Sequence, residues 1–366
     1  MARTKTVSQN IAVLVGPTPA TGLHATGSIS PLVGITSLDY SWSQNKQDVI
    51  TYGKLASRER VAIDPPEVPL NITYYLGAGY NEAKIGLNAG DYPTQSALKY
   101  ILDKTGDEKN YFVFIAPEGA DAENLSGLTS DISVVGIGNG FVNSYSVEAS
   151  IGDFPTVSVG IQSLNIKTYT NGANQQIPAV DPTTGLEITG KTFTIPNVFV
   201  TGYGTTEPYV IRPGDITLDL ASAGGLFYDY STADVQSFRV SFDLNRQPLN
   251  KLGSRFSVSR EIQFPVNVNF EATMLAKDLR TGSLANFLCS TGGYNAVINL
   301  KYNSCAGTGT NAFRIELKNI SLEGQQWSTQ AGSDPQTVTA TWVGQIGGTG
   351  DLNNGLFLSG AGINVT

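Results

Sequence analysis

Histidine and cysteine are almost absent from this chain of 366 residues, which contains one histidine and two cysteines. The histidine, His24, lies in a stretch of glycine and threonine without an adjacent cysteine or acidic cluster, so we expect a surface residue. A structural zinc site needs four ligands, and no metal site is predicted. Cys289 and Cys305 are too few for a disulfide framework, and free thiols in a reducing compartment are expected.

The sequence also lacks the motifs of common enzyme and cofactor sites. No GxSxG motif occurs in a strand-to-helix setting, and residues 16–22 (GPTPATG) lack the lysine of a phosphate-binding loop. Residues 136–140 (GIGNG) are not followed by a helix, and they predict a hairpin turn rather than a dinucleotide site. Asp215 and Asp219 could share a strand face, but the tryptophans are scattered rather than grouped as in a sugar-binding groove. We therefore expect no catalytic residue, no cofactor and no enzymatic activity.

Basic charge and long apolar segments are scarce as well. The chain has 23 Lys and Arg against 31 Asp and Glu, with a pI near 4.8, which argues against a nucleic-acid-binding clamp. No stretch approaches the roughly 18 apolar residues of a membrane span. The apolar run before Gly16 is too short for a secretory signal. A protein made in a cytoplasm, without a membrane segment, is expected.

Glycine, proline and alternating hydrophobicity are abundant. The 40 glycines and 17 prolines favour a β-rich chain with many tight turns. Residues 36–43 place Leu38, Tyr40 and Trp42 on one face and polar residues on the other, and residues 236–243 repeat this pattern. The period of two predicts half-exposed antiparallel strands, with the apolar face, Trp42 included, in the core.

One segment of the sequence recurs 200 residues later. Residues 35–60 (ITSLDYSWSQNKQDVITYGKLASRER) and 235–260 (VQSFRVSFDLNRQPLNKLGSRFSVSR) share seven of 26 positions without a gap. Chance gives roughly one or two identities. Further along, Asn71 and Asn269 match if a two-residue gap is allowed. A spacing this long indicates two copies of a whole domain rather than a solenoid.

Each copy contains one predicted helix, at residues 94–104 and 281–288, followed by glycine and then by strands. The predicted order in each copy is strand, long loop, strand, helix, strand, strand, turn, strand. A polar segment rich in turn residues separates the copies. The predicted domains are residues 1–166 and 191–366, with residues 167–190 as a linker or long surface loop.

The paired strand–loop–strand units, the short helix before another strand, and the ending GDFPTVSVGIQSLNI at residues 152–166 resemble the bacteriophage tail tube protein family. The resemblance covers most of both copies. It implies two tandem antiparallel β-sandwich or barrel domains, each with one flanking short helix and a long strand-to-strand loop. In that family, rings of six domains stack into a hollow tube through which DNA passes. A chain with two copies would close such a ring as a homotrimer with pseudo-sixfold symmetry.

The resemblance also implies that the long loops contact the neighbouring ring. The candidate contact residues are polar or basic: Asn45, Lys46, Arg58, Arg60, Asn245, Arg246, Arg255 and Arg260. A mobile hairpin whose charges only keep the protein soluble is the alternative interpretation.

The implied location is the tail of the virion, after synthesis in the host cytoplasm. The implied partners are further copies of this chain and the tape measure, terminator and baseplate proteins, with the sheath as a further candidate. DNA would transit without specific binding, and a net acidic chain would prevent its adhesion.

Two other functions are compatible with the sequence. A baseplate hub, distal tail or neck protein built from the same module would also form trimers, but in a few copies per particle. A two-domain carbohydrate-binding or adhesion protein would instead present an exposed aromatic platform and remain monomeric.

Overall fold

Alternating apolar and polar residues form antiparallel strands along most of the chain, so the prediction of a mainly β fold is confirmed. A computed structural model of the protein describes residues 10–17, 29–90, 94–123, 132–169, 176–181, 184–190, 192–193, 210–220, 230, 233–276, 283–287, 293–302, 310–328 and 336–360.

The first strands in chain order are β1 (Ile11–Pro17), β2 (Ser30–Pro31), β3 (Ile35–Tyr40), β4 (Lys46–Val49), β5 (Glu59–Ala62), β6 (Val68–Tyr75), β7 (Glu108–Ile115), β8 (Ser133–Ser150), β9 (Thr156–Ser163), β10 (Asn165–Tyr169), β11 (Val180–Asp181) and β12 (Leu186–Glu187). They are followed by β13 (Ile216–Asp219), β14 (Val235–Asp243), β15 (Arg246–Leu249), β16 (Ser259–Ile262), β17 (Asn267–Leu275), β18 (Tyr294–Tyr302), β19 (Thr310–Ser328), β20 (Thr337–Gln345) and β21 (Gly355–Gly360).

The helices of the described residues are short: α1 (Tyr80–Ile85), α2 (Lys99–Leu102) and α3 (Leu284–Phe287). The second and third lie inside the predicted helices but are shorter. Before α2, the backbone bonds to distant segments instead of continuing a helix. The Ala97 N–H donates to the Leu356 carbonyl at 2.9 Å, and the Ala97 carbonyl accepts from Asn88 at 2.7 Å. Neither partner can be read from local propensity.

The same pairing pattern occurs twice. In the first set of strands, β3 pairs with β6, β6 with β9 and β9 with β8, while β8 also pairs with β7 and β10, and β7 with β1. In the second set, β14 pairs with β17, β17 with β20 and β20 with β19, while β19 also pairs with β18 and β21, and β18 with β13. A separate hairpin, β4–β5 or β15–β16, follows the first of these strands in each set.

The register of the two sets also matches. Ile35 pairs with Tyr74 and, 200 residues later, Val235 pairs with Met274. A register shift follows immediately in both pairs, and the offset of 200 then holds to the ends of β6 and β17. The two-residue gap predicted from the asparagine match is therefore wrong.

The long strands β8 and β19 correspond at an offset of 180 residues. Val142 pairs with Ile161, and Leu322 pairs with Trp342; in both pairs a bulge follows directly. A bulge bends a strand and strengthens its twist. Each long strand therefore changes direction at the same point, and its two parts pair with different neighbours.

An asparagine marks another irregularity shared by both sets. Asn139 and Asn319 have φ angles of 53° and 55°, in the left-handed region that asparagine tolerates. The Asn139 N–H donates to Oδ1 of Asn110, and the Asn319 N–H donates to Oδ1 of Asn295, both at 3.1 Å. Because β8 continues through this point, the hairpin turn predicted for residues 136–140 is wrong.

One hydrophobic core extends through both sets of strands. Its largest side chains include Trp342, which stacks on Phe270 with ring centroids 5.0 Å apart, and Tyr145, which stacks on Phe242 at 5.4 Å. The second of these pairs joins a residue of the first set to a residue of the second. The two sets therefore share a continuous interior.

The predicted linker begins inside β10, which extends to Tyr169. Its described remainder packs on the first set, where Ile177 and Ala179 join a smaller buried cluster with Phe112. The side-chain amide of Asn139 also donates to the Val180 carbonyl at 2.9 Å. The predicted domain limits at residues 166 and 190 stay predictions.

Three residues of low-abundance types lie outside the described residues: His24, Cys289 and Cys305. The predictions made for them stay predictions. Among the helices of the described segments, none has the length and apolar character that a transmembrane segment requires.

Candidate assembly interface

The two sets of strands meet where β14 pairs antiparallel with the C-terminal part of β8. The pairs run from Ser144–Asp243 to Ser150–Ser237. Beyond the strand ends, the Leu244 N–H donates to the Asn143 carbonyl at 2.6 Å and so extends the contact. Along this part of β8, β9 occupies one edge and β14 the other. The junction therefore adds a strand of the second set to an edge of the first.

The hairpin β15–β16 strengthens this junction through a buried ion pair. The Arg246 side chain is fully buried, and its Nη1 donates to a carboxylate oxygen of Asp107 at 3.1 Å. Its Nε donates to the Val142 carbonyl at 2.8 Å, and its guanidinium lies 5.3 Å from the centre of the Phe141 ring. Burial raises the pKa of Asp107, and the hydrogen bond from Arg246 opposes this rise. The carboxylate therefore depends on Arg246 to stay ionised.

Two more polar contacts join the same hairpin to the first set. Arg260 is buried and donates to the side chain of Gln162 on β9. Lys104 contacts Glu261 at 2.9 Å in an exposed ion pair. The hydrogen bond from Lys104 lowers the pKa of Glu261.

The equivalent hairpin β4–β5 is exposed instead. Arg60 pairs with Asp48 of the same hairpin at 2.9 Å, and both side chains are substantially exposed. Arg58 donates to the Thr51 hydroxyl at 2.6 Å. The two bonds are local, so this hairpin is held by its own residues rather than by another element.

The structure thus divides the eight predicted contact residues into two groups. Six are exposed on the hairpins: Asn45, Lys46, Arg58, Arg60, Asn245 and Arg255. Arg246 and Arg260 are buried between the two sets of strands, so for these two residues the prediction of a contact with another ring is wrong. Sequence reasoning missed Asp107, because it lies about 140 residues from Arg246 and no local pattern links them.

Two exposed aromatic residues also differ from their prediction as core. Tyr40 and Trp42 are 43% and 65% exposed. Alternation correctly identified the apolar face of β3, but within the described residues this strand pairs only with β6. The neighbour that would cover the residues on its other edge is not part of the same chain's described structure.

A polar sheet face runs across both sets of strands, through β3, β6, β9, β8, β14, β17 and β20. We call it the polar face. Its charged residues are exposed and mostly acidic: Asp39, Glu148, Arg239, Asp243 and Glu271. Serine, threonine, asparagine and glycine occupy most of its other positions. Such a surface offers hydroxyl and amide groups but few cations.

No group of three or more histidine, cysteine, aspartate or glutamate residues within the described segments is placed to hold a metal ion. The geometry therefore brings together surfaces for assembly, with strand edges, hairpins and a polar face.

No protein-family model matches the sequence, and no curated protein matches it either. Among solved structures, the chain is similar to the SPP1 tail tube determined by solid-state NMR and cryo-electron microscopy. The sequence identity is 11% and the TM-score is 0.29. The match covers 45% of this chain and 80% of that one.

Proposed function

We propose that this protein is a structural subunit of a phage tail tube, in which homotrimeric rings stack into a hollow conduit for DNA ejection. The junction between the two sets of strands carries the proposal. It joins an edge of β8 to an edge of β14, which are unlike surfaces, so the contact is head-to-tail. A head-to-tail contact can repeat until a ring closes. Three chains, each with one internal junction and one junction to the next chain, give a ring with six similar positions.

The polar face is the surface that suits the lumen of such a ring. Each strand buries its alternate residues in the core and directs the others to the polar face, as in β17, where Phe270 is buried and Glu271 exposed. Carboxylates repel a phosphate backbone, and a surface with few Lys and Arg releases few counterions on contact with DNA. DNA would therefore slide along this face without adhering.

The hairpins are the surfaces proposed to connect successive rings. At their tips, Tyr52, Leu55 and Leu252 are fully exposed. Exposed apolar side chains at the end of a projecting hairpin suit insertion into a neighbouring subunit. The exposed basic residues Arg58 and Arg255 lie close to these tips and could donate to carbonyl or carboxylate oxygens of the next ring.

Electron microscopy of the concentrated protein tests the function. We expect hollow stacked rings of variable length, because the same stacking contact repeats along a tube. Closed rings that never stack would favour the hub or neck function. A protein that stays monomeric at high concentration and binds a glycan would contradict the proposal and favour the adhesion function.

A further inference from the structure

We infer that β3 of one chain pairs with the C-terminal part of β19 of a second copy, in the register that β14 adopts on β8. The inference rests on the proposed ring and specifies its contact between chains. The contact surface is a strand edge on each side, and its partner is another copy of this chain.

Both edges are open within the described residues. β3 pairs with β6 on one edge, whereas its counterpart β14 pairs with β17 and also with β8. Residues 321–328 of β19 pair with β20 on one edge, whereas the counterpart in β8 pairs with both β9 and β14. Each open edge is thus equivalent to one side of a contact that exists inside the chain. Open strand edges of this kind are templates for pairing with another chain.

Exposed aromatic side chains coincide with these two edges. Tyr40 and Trp42 follow β3 and its end, and Trp327 on β19 is 54% exposed. At the occupied junction, the three counterparts are almost fully buried: Val240, Phe242 and Val147. The same positions are therefore apolar at both junctions and exposed only where the partner strand is absent. Pairing β3 with β19 of another copy would bury all three aromatic residues.

A buried amide without a partner lies at the same place. Neither Oε1 nor Nε2 of Gln325 has a hydrogen-bond partner within the described residues. Its counterpart is Tyr145, which stacks on Phe242 of the adjacent strand. In the proposed register, Trp42 of the second copy would lie opposite Gln325. An indole N–H is a donor, and Gln325 Oε1 is an acceptor whose burial without a bond is unfavourable.

The register follows from the offsets of 180 and 200 residues. At the internal junction, Ser146 pairs with Ser241. The equivalent pair between chains is Gln326 with Ser41. Both residues lie on the polar face, away from the core, so substituting them leaves the interior of each chain unchanged.

The hydrogen-bonding phase identifies this pair as suitable for a disulfide. The Leu244 N–H bonds to the Asn143 carbonyl, and the Ile151 N–H bonds to the Gln236 carbonyl. These positions are hydrogen-bonded pairs, so the intervening pairs at even-numbered residues of β8 are non-hydrogen-bonded. Side chains of such pairs are closer, with Cα atoms about 4.5 Å apart, within the range that a disulfide spans.

The experiment introduces Ser41→Cys and Gln326→Cys into one chain and oxidises the assembled protein. A matched control carries Ser37→Cys with Gln326→Cys, which displaces one thiol by four residues, roughly 13 Å along the strand. A positive control carries Ser146→Cys with Ser241→Cys, which links the internal junction. The linked peptides are identified by mass spectrometry, and the same samples are imaged by electron microscopy.

We expect the in-register variant to form covalent trimers that contain the peptide pair 41–326, with at least tenfold more linkage than the displaced control. Rings with equal or stronger linkage in the displaced control would overturn this contact while leaving the ring function intact. An absence of rings in the unmodified protein would overturn the function itself.

A second variant tests the aromatic residues without forming a bond. Trp42→Ser should raise the concentration at which rings form by tenfold or more, while the unfolding midpoint of the monomer stays unchanged because the side chain is exposed there. Leu55→Ser, at the hairpin tip, is the matched exposed control and should leave ring formation unchanged. Equal ring formation by the Trp42 variant and the unmodified protein would contradict the proposed contact.

Discussion

Arg246 and Lys46 occupy equivalent positions at the start of the two hairpins, but their environments differ. Arg246 is fully buried against Asp107, and Lys46 is exposed. Arginine suits the buried position because its planar group donates several hydrogen bonds at once, here to the carboxylate and to the Val142 carbonyl. Sequence reasoning identified both residues as polar contacts, but it could not tell which one is buried, since the acceptors belong to distant parts of the chain.

Replacing Arg246 with alanine should destabilise the protein by about 3–5 kcal/mol, because a buried carboxylate would lose its partner. Lys46→Ala is the matched control and should change stability by less than about 0.5 kcal/mol. Chemical denaturation of the unassembled protein measures both values. Equal, small changes in the two variants would mean that the buried ion pair does not hold the hairpin to the first set.

Glu108 gives the protein a pH dependence. Burial raises its pKa from 4.5 to about 7, although the amide of Asn139 donates to the carboxylate and opposes the rise. The folded state therefore holds a proton that the unfolded state releases at lower pH. This stabilising contribution is complete below pH 4.5 and is lost as the pH rises to about 7.

Glu108→Gln should remove that part of the pH dependence and reduce the loss of stability between pH 4.5 and 7.5 by about 1–3 kcal/mol. Denaturation midpoints of both proteins across this interval provide the measurement. A smaller decline remains expected in the variant, because burial also raises the pKa of Glu82. Parallel curves for the variant and the unmodified protein would refute the assignment to Glu108.

At the scale of the elements, alternation predicted β3 and β14 and the apolar face of each. It also placed the hairpins, whose tips contain Gly53 and Gly253 with φ angles of 85° and 86°, in a region that favours glycine. It failed for Trp42, because alternation reports which face is apolar and not whether a neighbouring strand belongs to the same chain. The helix at residues 94–104 was predicted too long, since its first residues bond to β21 instead.

The hairpin tips should govern the length of tubes rather than the formation of rings. Replacing Tyr52 and Leu55 with serine removes two fully exposed apolar side chains, so the stability of the single chain should change by less than about 0.5 kcal/mol. We expect rings of normal appearance but tubes several-fold shorter in electron micrographs. Tubes of unchanged length would show that stacking uses another surface.

For the whole molecule, the repeat in the sequence led to the expectation of two similar units, and the matching registers of β3–β6 and β14–β17 are its physical counterpart. The continuous core and the buried junction were not predictable, because they depend on pairs such as Tyr145 and Phe242 that no local pattern connects. Local periodicity identifies strands, whereas long-range contacts decide their neighbours.

The charge of the polar face should affect DNA passage through an assembled tube. Replacing Glu148 and Glu271 with lysine would create a basic strip that attracts phosphates, so DNA ejection from otherwise intact phage should become several-fold slower. The same change at Glu118 and Glu123, which are exposed elsewhere, should leave the rate unchanged. Normal ejection from particles with the reversed polar face would place the lumen on another surface.

The central claim is that each ring contains three chains joined head-to-tail through six similar junctions. Rotational analysis of single rings by cryo-electron microscopy tests it most directly, because symmetry and chain count are measured on the same particle. We predict threefold symmetry with six similar lobes around a hollow centre, and the mass of three chains per ring. A ring of six chains, or a twofold dimer in which like edges meet, would contradict the account.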